Sequence, residues 1–278
     1  MTARSTMKKI GRHVVSAATV FSGAKLLSER LAQELTGRIL CYHSISVSEE
    51  DSFAVTPVEF ARQMEFIADH FRVLSVDDLL GLLKNGPKRG DRSPVAVTID
   101  DGYEDAYINA YPVLNRLSIP ATIFLPVGFI ENGTPAEREV SLPHSDFLAW
   151  PQIREMSLHG LRFGSHTIDH LSLTDIPVDE IQHQLADSKA MIEAEIDVPV
   201  TGFAYPYGTA RYFSKMTKQL VKAAGYSWAV SGLNGTNTGR TDPFELRRTK
   251  VEGGDGMAVF RRAVKGGLDP WVVLDRLG

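Results

Sequence analysis

Val95-Ala96-Val97-Thr98-Ile99-Asp100-Asp101-Gly102 is the stretch on which the reading of this chain turns. A short β-rich run leads straight into two adjacent carboxylates, and the glycine after them lets the backbone turn tightly. Working outward, similar strand signals occur at Ile39–His43, Ala121–Leu125, Thr201–Tyr205, Tyr226–Ser231 and Glu245–Val251. Helical patterns lie between them. Thr56-Pro57-Val58-Glu59 reads as a capping box with proline at the first helical position, and Phe60, Met64, Ile67 and Phe71 then share one face. Ser75 to Asn85, Glu104 to Leu117, Pro151 to His159, Val178 to Ile196 and Tyr212 to Ala224 are further helices. Alternating strand and helix implies an α/β fold of parallel strands with crossover helices. In such folds the ligand site forms at the C-terminal ends of the strands.

That rim collects the polar residues. Asp100 and Asp101 end one strand. His166 follows Leu161–Gly164, Tyr205-Pro206-Tyr207-Gly208 follows another strand, and His43 ends the first. His166 and His170, four residues apart, can face a single ion. One carboxylate of the aspartate pair completes a set of two histidines and one aspartate. The other, whose side chain points away from the first, is left as a general base beside the ion. A bound divalent ion lowers the pKa of its water from 15.7 to as low as ~7 and polarises a carbonyl. Asp-Asp-Gly alone is most often a turn, and a lone His-x3-His is most often solvated. Both together, each just after a strand, point to metal-assisted hydrolysis.

The whole chain sets the bounds. Its 278 residues are 43% hydrophobic and 23% charged, ample for one large core. A net charge of −4 and a pI near 6.1 carry no basic footprint for nucleic acid, so none is expected as a partner. The single cysteine, Cys41, excludes an internal disulfide and reads as a buried small hydrophobe. No run approaches the ~18 apolar residues of a membrane span. Lys8, Lys9 and Arg12 precede an apolar stretch that lacks a clean cleavage site, and Leu26, Leu27, Leu31 and Leu35 continue at helical spacing. Residues 1–36 are therefore read as an uncleaved amphipathic helical segment, packed on the body or in peripheral contact with a membrane. Residues 37–255 are read as one α/β body, of a size that a single barrel commonly fills, and 256–278 as a helical tail. Cytoplasm or the inner-membrane surface is expected over secretion. Glu131 to Ser145 looks like an inserted loop over the rim, with His144 and Asp146 in or beside it.

These motifs resemble those of the polysaccharide deacetylases of the NodB-homology, carbohydrate esterase 4 type. Thr98-Ile99-Asp100-Asp101-Gly102 is similar to their first motif, His166-Thr167-Ile168-Asp169-His170 to their second, and Ala204-Tyr205-Pro206-Tyr207-Gly208 in part to their third. Phe147-Leu148-Ala149-Trp150 stands where relatives carry Leu-Thr-Trp. The resemblance implies a distorted (β/α)7 barrel and release of acetate from N-acetylated sugars of a polysaccharide or oligosaccharide. It makes Asp100 the general base and Asp101, His166 and His170 the ligands of a divalent metal, Zn2+ first, with Co2+ or Ni2+ as alternatives. It assigns the Tyr207 backbone N–H to the oxyanion, with Pro206 and Gly208 shaping that loop. Tyr103, and with it Phe129 and Trp150, would offer a sugar-stacking wall, Trp150 reading equally well as a core residue.

Two departures follow. The third-motif arginine that orients the base is Ala204 here, and Arg247 or Arg248 is the candidate replacement. The late Leu-x-His that supplies the acid is absent, His183 lying in mid-helix. His43, in the strand-end Leu40-Cys41-Tyr42-His43, resembles the acid of the poly-N-acetylglucosamine deacetylase branch, where motif order is permuted. Alternatives to N-deacetylation are an O-acetyl esterase or other amide hydrolase on the same site, or a non-catalytic carbohydrate-binding barrel.

Overall fold

The computed structural model describes residues 3–21, 35–48, 51–86, 92–132 and 146–276. Most of the expected loop over the rim, His144 included, and the leucines at 26, 27 and 31 lie outside them.

Eight strands, β1 (Arg38–Tyr42), β2 (Arg72–Val73), β3 (Pro94–Ile99), β4 (Ala121–Leu125), β5 (Arg162–Ser165), β6 (Gly202–Ala204), β7 (Trp228–Val230) and β8 (Thr249–Lys250), form one sheet. Its order is β7-β6-β5-β4-β3-β1-β8, with β2 beside β3, and every named pairing is parallel. The sheet curls into a distorted barrel. Segment 246–250 spans the gap, since Leu246 pairs with Val230 at its start and Thr249 with Leu40 at its end. First and last strands are thus neighbours, as the placement of His43 requires. β1, β3 and β4 are buried along their whole length, which is why they read as unbroken apolar runs.

Helices cover the outside. α1 is Ala3–Phe21, α2 Pro57–His70, α3 Val76–Asn85, α4 Tyr111–Arg116, α5 Val127–Asn132, α6 Trp150–Leu158, α7 Val178–Ile196, α8 Lys215–Ala223, α9 Gly256–Val264 and α10 Val272–Asp275. The cap of α2 shows one arm of the expected box: Thr56 Oγ1 accepts from Glu59 N–H at 3.2 Å, Pro57 opens the helix, and Phe60, Met64 and Ile67 are buried, while Phe71 is its half-buried C-cap. The helix expected over Glu104–Leu117 instead starts with a π-turn, Ala106–Ala110, in which Tyr111 N–H bonds to Ala106 O. Pro112 has no N–H to continue a regular ladder, so the turn widens there. The strand expected over Glu245–Val251 keeps only two strand residues, because its first half is spent bridging to β7.

α1 is docked on α9 and on the loop after β8 through Arg12, which is fully buried. Its guanidinium meets Asp255 at 2.6 and 2.8 Å, Glu252 at 3.2 Å and the Lys250 carbonyl at 2.9 Å. Packing on the body, the first of the two expectations for this helix, describes that face. Met7, Ile10 and Val14 on its other side are exposed. Among the described residues no helix is long and apolar enough to cross a membrane.

Candidate active site

The C-terminal ends of β1, β3, β5, β6 and β8 meet in one cleft of about 340 Å³, lined by His43, Asp100, Asp101, His166, His170 and Arg248 among others. Each local fold has a reason. Asp100 N–H bonds to Tyr42 O at 2.9 Å, which sets the Asp100 carboxylate beside the end of β1. Asp101 then takes a left-handed conformation, φ 70°, and points its carboxylate toward the histidines. Thr167, His170 and Tyr207 are left-handed as well, so four of the six such non-glycine residues among those described belong to this site. Each costs on the order of 1–3 kcal/mol and persists only where the surroundings hold it. Gly208 is needed for a plainer reason. A Cβ there would stand 2.6 Å from Gly232 N, where the Tyr207 loop packs on the next strand end.

Asp101 Oδ1 lies 3.5 Å from His166 Nε2 and 3.5 Å from His170 Nε2. The edge of a tetrahedron with metal–ligand bonds of about 2.0–2.1 Å is about 3.3 Å, so the three donors fit a single divalent ion. The tautomer agrees. His166 Nδ1 must donate to the Ala204 carbonyl at 2.8 Å, since a carbonyl only accepts. Its Nε2 therefore turns a lone pair toward Asp101 when the ring is neutral. The position of the missing arginine thus serves the site through its backbone. Burial pulls both imidazoles down. At His166 this is outweighed by Asp101 and Asp100, and the pKa rises. At His170 burial, helped by the neighbouring His166, holds it at about 4. Asp101 is driven up by burial but brought well below the ordinary range by His166, His43 and His170. A carboxylate and a neutral imidazole are the forms that bind metal.

Asp100 does not face the same point. Its oxygens are gripped by Arg248, Nη1 to Oδ1 and Nη2 to Oδ2, both 2.7 Å. Arg248 is itself fixed by the Ser231 carbonyl at 2.8 Å and Thr98 Oγ1 at 3.2 Å. Of the two candidate arginines it is Arg248, buried just ahead of β8, that contacts Asp100. Arg247 turns the other way, its stem against Gly235. Burial would raise the Asp100 carboxyl, yet the Arg248 charge and its two hydrogen bonds bring it below the usual value. Cys41 is buried, and its sulfur lies 3.6 Å from Asp100 Oδ2.

His43 stands beside Asp100 in the cleft, within 4.8 Å of Asp100 and Cys41 by donor atoms, and its ring packs on Phe53 at 4.6 Å. Its Nδ1 is buried without a partner. Tyr207 projects its ring from the rim, half exposed, against His170 at 4.9 Å and Tyr212 at 4.8 Å. Tyr103 lines the cleft, and its hydroxyl is pushed up by burial and the Asp101 charge. Phe129 and Trp150 do not reach the cleft. Phe129 is buried behind Phe147, and Trp150 packs into the core at the first turn of α6. The aromatic wall comes instead from Phe53, Tyr207 and Tyr212, none of which shows a periodic signal in the sequence. Asp146 serves the backbone, its carbonyl accepting from Glu104 N–H at 3.0 Å. His183 is solvent-exposed and paired with Asp187 on its own helix.

The family model described as polysaccharide deacetylase matches residues 88–229. The chain is 31% identical over 222 residues to YxkH of Bacillus subtilis (strain 168), a protein placed by name among polysaccharide deacetylases, covering 80% of this chain and 74% of that one. It is 27% identical over 202 residues to the poly-beta-1,6-N-acetyl-D-glucosamine N-deacetylase of Staphylococcus aureus (strain MRSA252), covering 68% of this chain and 65% of that one. In fold it is similar to the Streptococcus pyogenes deacetylase PplD, solved in complex with acetate, with a TM-score of 0.72 at 24% identity over 83% of this chain and 99% of that one. IcaB from Ammonifex degensii matches with a TM-score of 0.68 at 23% identity over 84% and 97%.

Proposed function

The chain belongs to the polysaccharide deacetylase family, and from that membership we propose that it removes acetyl groups from N-acetylated sugars of a polysaccharide or oligosaccharide, using a divalent metal ion held by Asp101, His166 and His170. The observation that carries this reading is the convergence of three metal-type donors on one point beside a separately held carboxylate. Zn2+ suits two imidazoles and a carboxylate best, and Co2+ and Ni2+ suit the same set. A bound ion supplies Lewis acidity toward water and the acetamide carbonyl.

The chain's own residues do the rest. Asp100, oriented by Arg248, accepts the proton of the attacking water. The Tyr207 backbone N–H, presented by the Pro206–Gly208 turn, donates to the oxyanion. His43 gives a proton to the departing amine nitrogen, a contribution of about 10²–10⁴ in rate. Tyr207, Tyr212 and Phe53 offer ring faces to the pyranose. The Staphylococcus aureus relative, named for N-deacetylation of poly-N-acetylglucosamine, supports an N-acetylhexosamine polymer as the substrate class. Peripheral membrane contact through the exposed Met7, Ile10 and Val14 of α1 belongs to the same proposal, and co-sedimentation with anionic vesicles checks it.

The test is metal analysis of the purified chain, then acetate release from N-acetylglucosamine oligomers before and after chelation. Activity lost on chelation and restored by Zn2+ is expected. Bound metal with no hydrolysis of any acetylated glycan refutes the reading.

A further inference from the structure

Gln184 lies on α7, away from the cleft, and is completely buried. Its side-chain amide makes four hydrogen bonds. The oxygen accepts from Ile168 N–H at 2.9 Å and Asp169 N–H at 3.0 Å. The nitrogen donates to Asp169 Oδ2 at 2.7 Å and to Glu180 Oε1 at 2.9 Å. Ile168 and Asp169 are the middle of the turn whose ends are His166 and His170. That turn contains two left-handed non-glycine residues, Thr167 at φ 69° and His170 at φ 53°. It does not hold that shape by local preference.

Other contacts secure its outer side. Val127 and Gly128 N–H bond to the Thr167 and Ile168 carbonyls at 3.2 and 2.9 Å, and His166 N–H bonds to Leu125 O at 2.9 Å. On the inner side Thr167 N–H donates to Ser165 Oγ at 3.1 Å, and the next two N–H groups, of Ile168 and Asp169, both donate to the Gln184 oxygen. We infer that Gln184 is a positioning residue for the metal centre: it clamps the 166–170 turn so that both histidine Nε2 atoms face Asp101 at equal distance. A glutamine suits this task because one planar group presents an acceptor to two backbone donors and donors to two carboxylates at once. Leucine has nearly its volume and none of these bonds.

This inference rests on the metal reading above, and its test separates the two. Zn2+ affinity is measured by competition with a chromogenic chelator, and the coordination geometry by the visible absorption of the Co2+-loaded protein. Loss of a partner one step removed from the metal typically weakens binding about 10–100-fold. Gln184→Leu should fall in that range and alter the Co2+ band, while the chelator-treated protein still unfolds cooperatively. Gln184→Glu keeps the two acceptor bonds but sets a carboxylate against Asp169 and Glu180. It should lie between wild type and Gln184→Leu, and it carries the test if Gln184→Leu yields no folded protein. Wild-type Zn2+ affinity and an unchanged Co2+ spectrum in both variants overturn the clamp and leave the metal reading intact. A wild-type chain that binds neither ion overturns both.

Discussion

Arg248→Met removes the guanidinium from Asp100 while keeping an unbranched apolar stem in its place. The carboxyl loses two 2.7 Å charge-assisted bonds and its nearest positive charge, and stays buried. Burial raises a carboxyl pKa, and a cation at this range lowers it by about 1–3 units, so removal releases a rise of that order. At 1.36 kcal/mol per unit this is about 1.4–4 kcal/mol, comparable with the 3–5 kcal/mol cost of leaving a buried charge unpaired. The direction can be worked out. Because Arg248 lowers the folded-state pKa of Asp100, the pair stabilises the fold above the unfolded value near 3.9. That stability is lost as pH falls through the lowered folded value. In Arg248→Met the carboxyl protonates at higher pH, so the acid limb of kcat/KM for acetate release moves upward by about 1–3 units at saturating metal. Arg248→Lys, with charge but no fork, should fall between. The checks are the pH–rate profile from about pH 4 to 9 and the infrared carboxyl band of Asp100. An acid limb that does not move in Arg248→Met, with only thermal stability reduced, would falsify the claim that this arginine tunes the base.

Four further outcomes are expected. Asp101→Ala should lose bound metal and activity together, whereas Asp100→Asn should keep the metal and lose most turnover. Near-normal rates in metal-loaded Asp100→Asn would remove the base assignment. His43→Ala should slow amide hydrolysis about 10²–10⁴-fold and spare aryl acetate esters, whose leaving groups need no proton. Equal losses on both substrates would show that His43 shapes the cleft rather than donates. Arg12→Leu leaves the buried Asp255 without its guanidinium, while Glu252 keeps Lys8 at 2.9 Å, and should destabilise the fold by about 3–5 kcal/mol, read by chemical denaturation. An unchanged midpoint would mean that α1 contributes nothing to the barrel.

The parts of the site that lay open to sequence reading are those written within one strand end or one turn. Asp100-Asp101-Gly102 and His166–His170 carry their chemistry in a few consecutive residues, and β3 announces itself because both its faces are buried. Arg248 stayed ambiguous with Arg247, because two adjacent residues on a strand point to opposite sides and nothing local says which side is inward. Phe129 illustrates the converse error, an aromatic residue near a motif that reads as a substrate contact yet is buried in the core, while Trp150 takes the core side of its two readings. Gln184 carried no signal at all, since a buried amide in mid-helix looks like a polar surface position until its partners are in place.

Composition, alternation and the two motifs were enough to give the α/β class, the rim and the strand end and turn that carry Asp101, His166 and His170, because each is written in residues close together in the chain. The tertiary structure decided which arginine grips Asp100, which aromatic rings face the cleft, and that His43 and Asp100 share one wall although they lie 57 residues apart. Those choices depend on strand order and on the closure of the barrel by 246–250. Closure is a property of the whole sheet, built from hydrogen bonds between distant segments, and no local pattern encodes it.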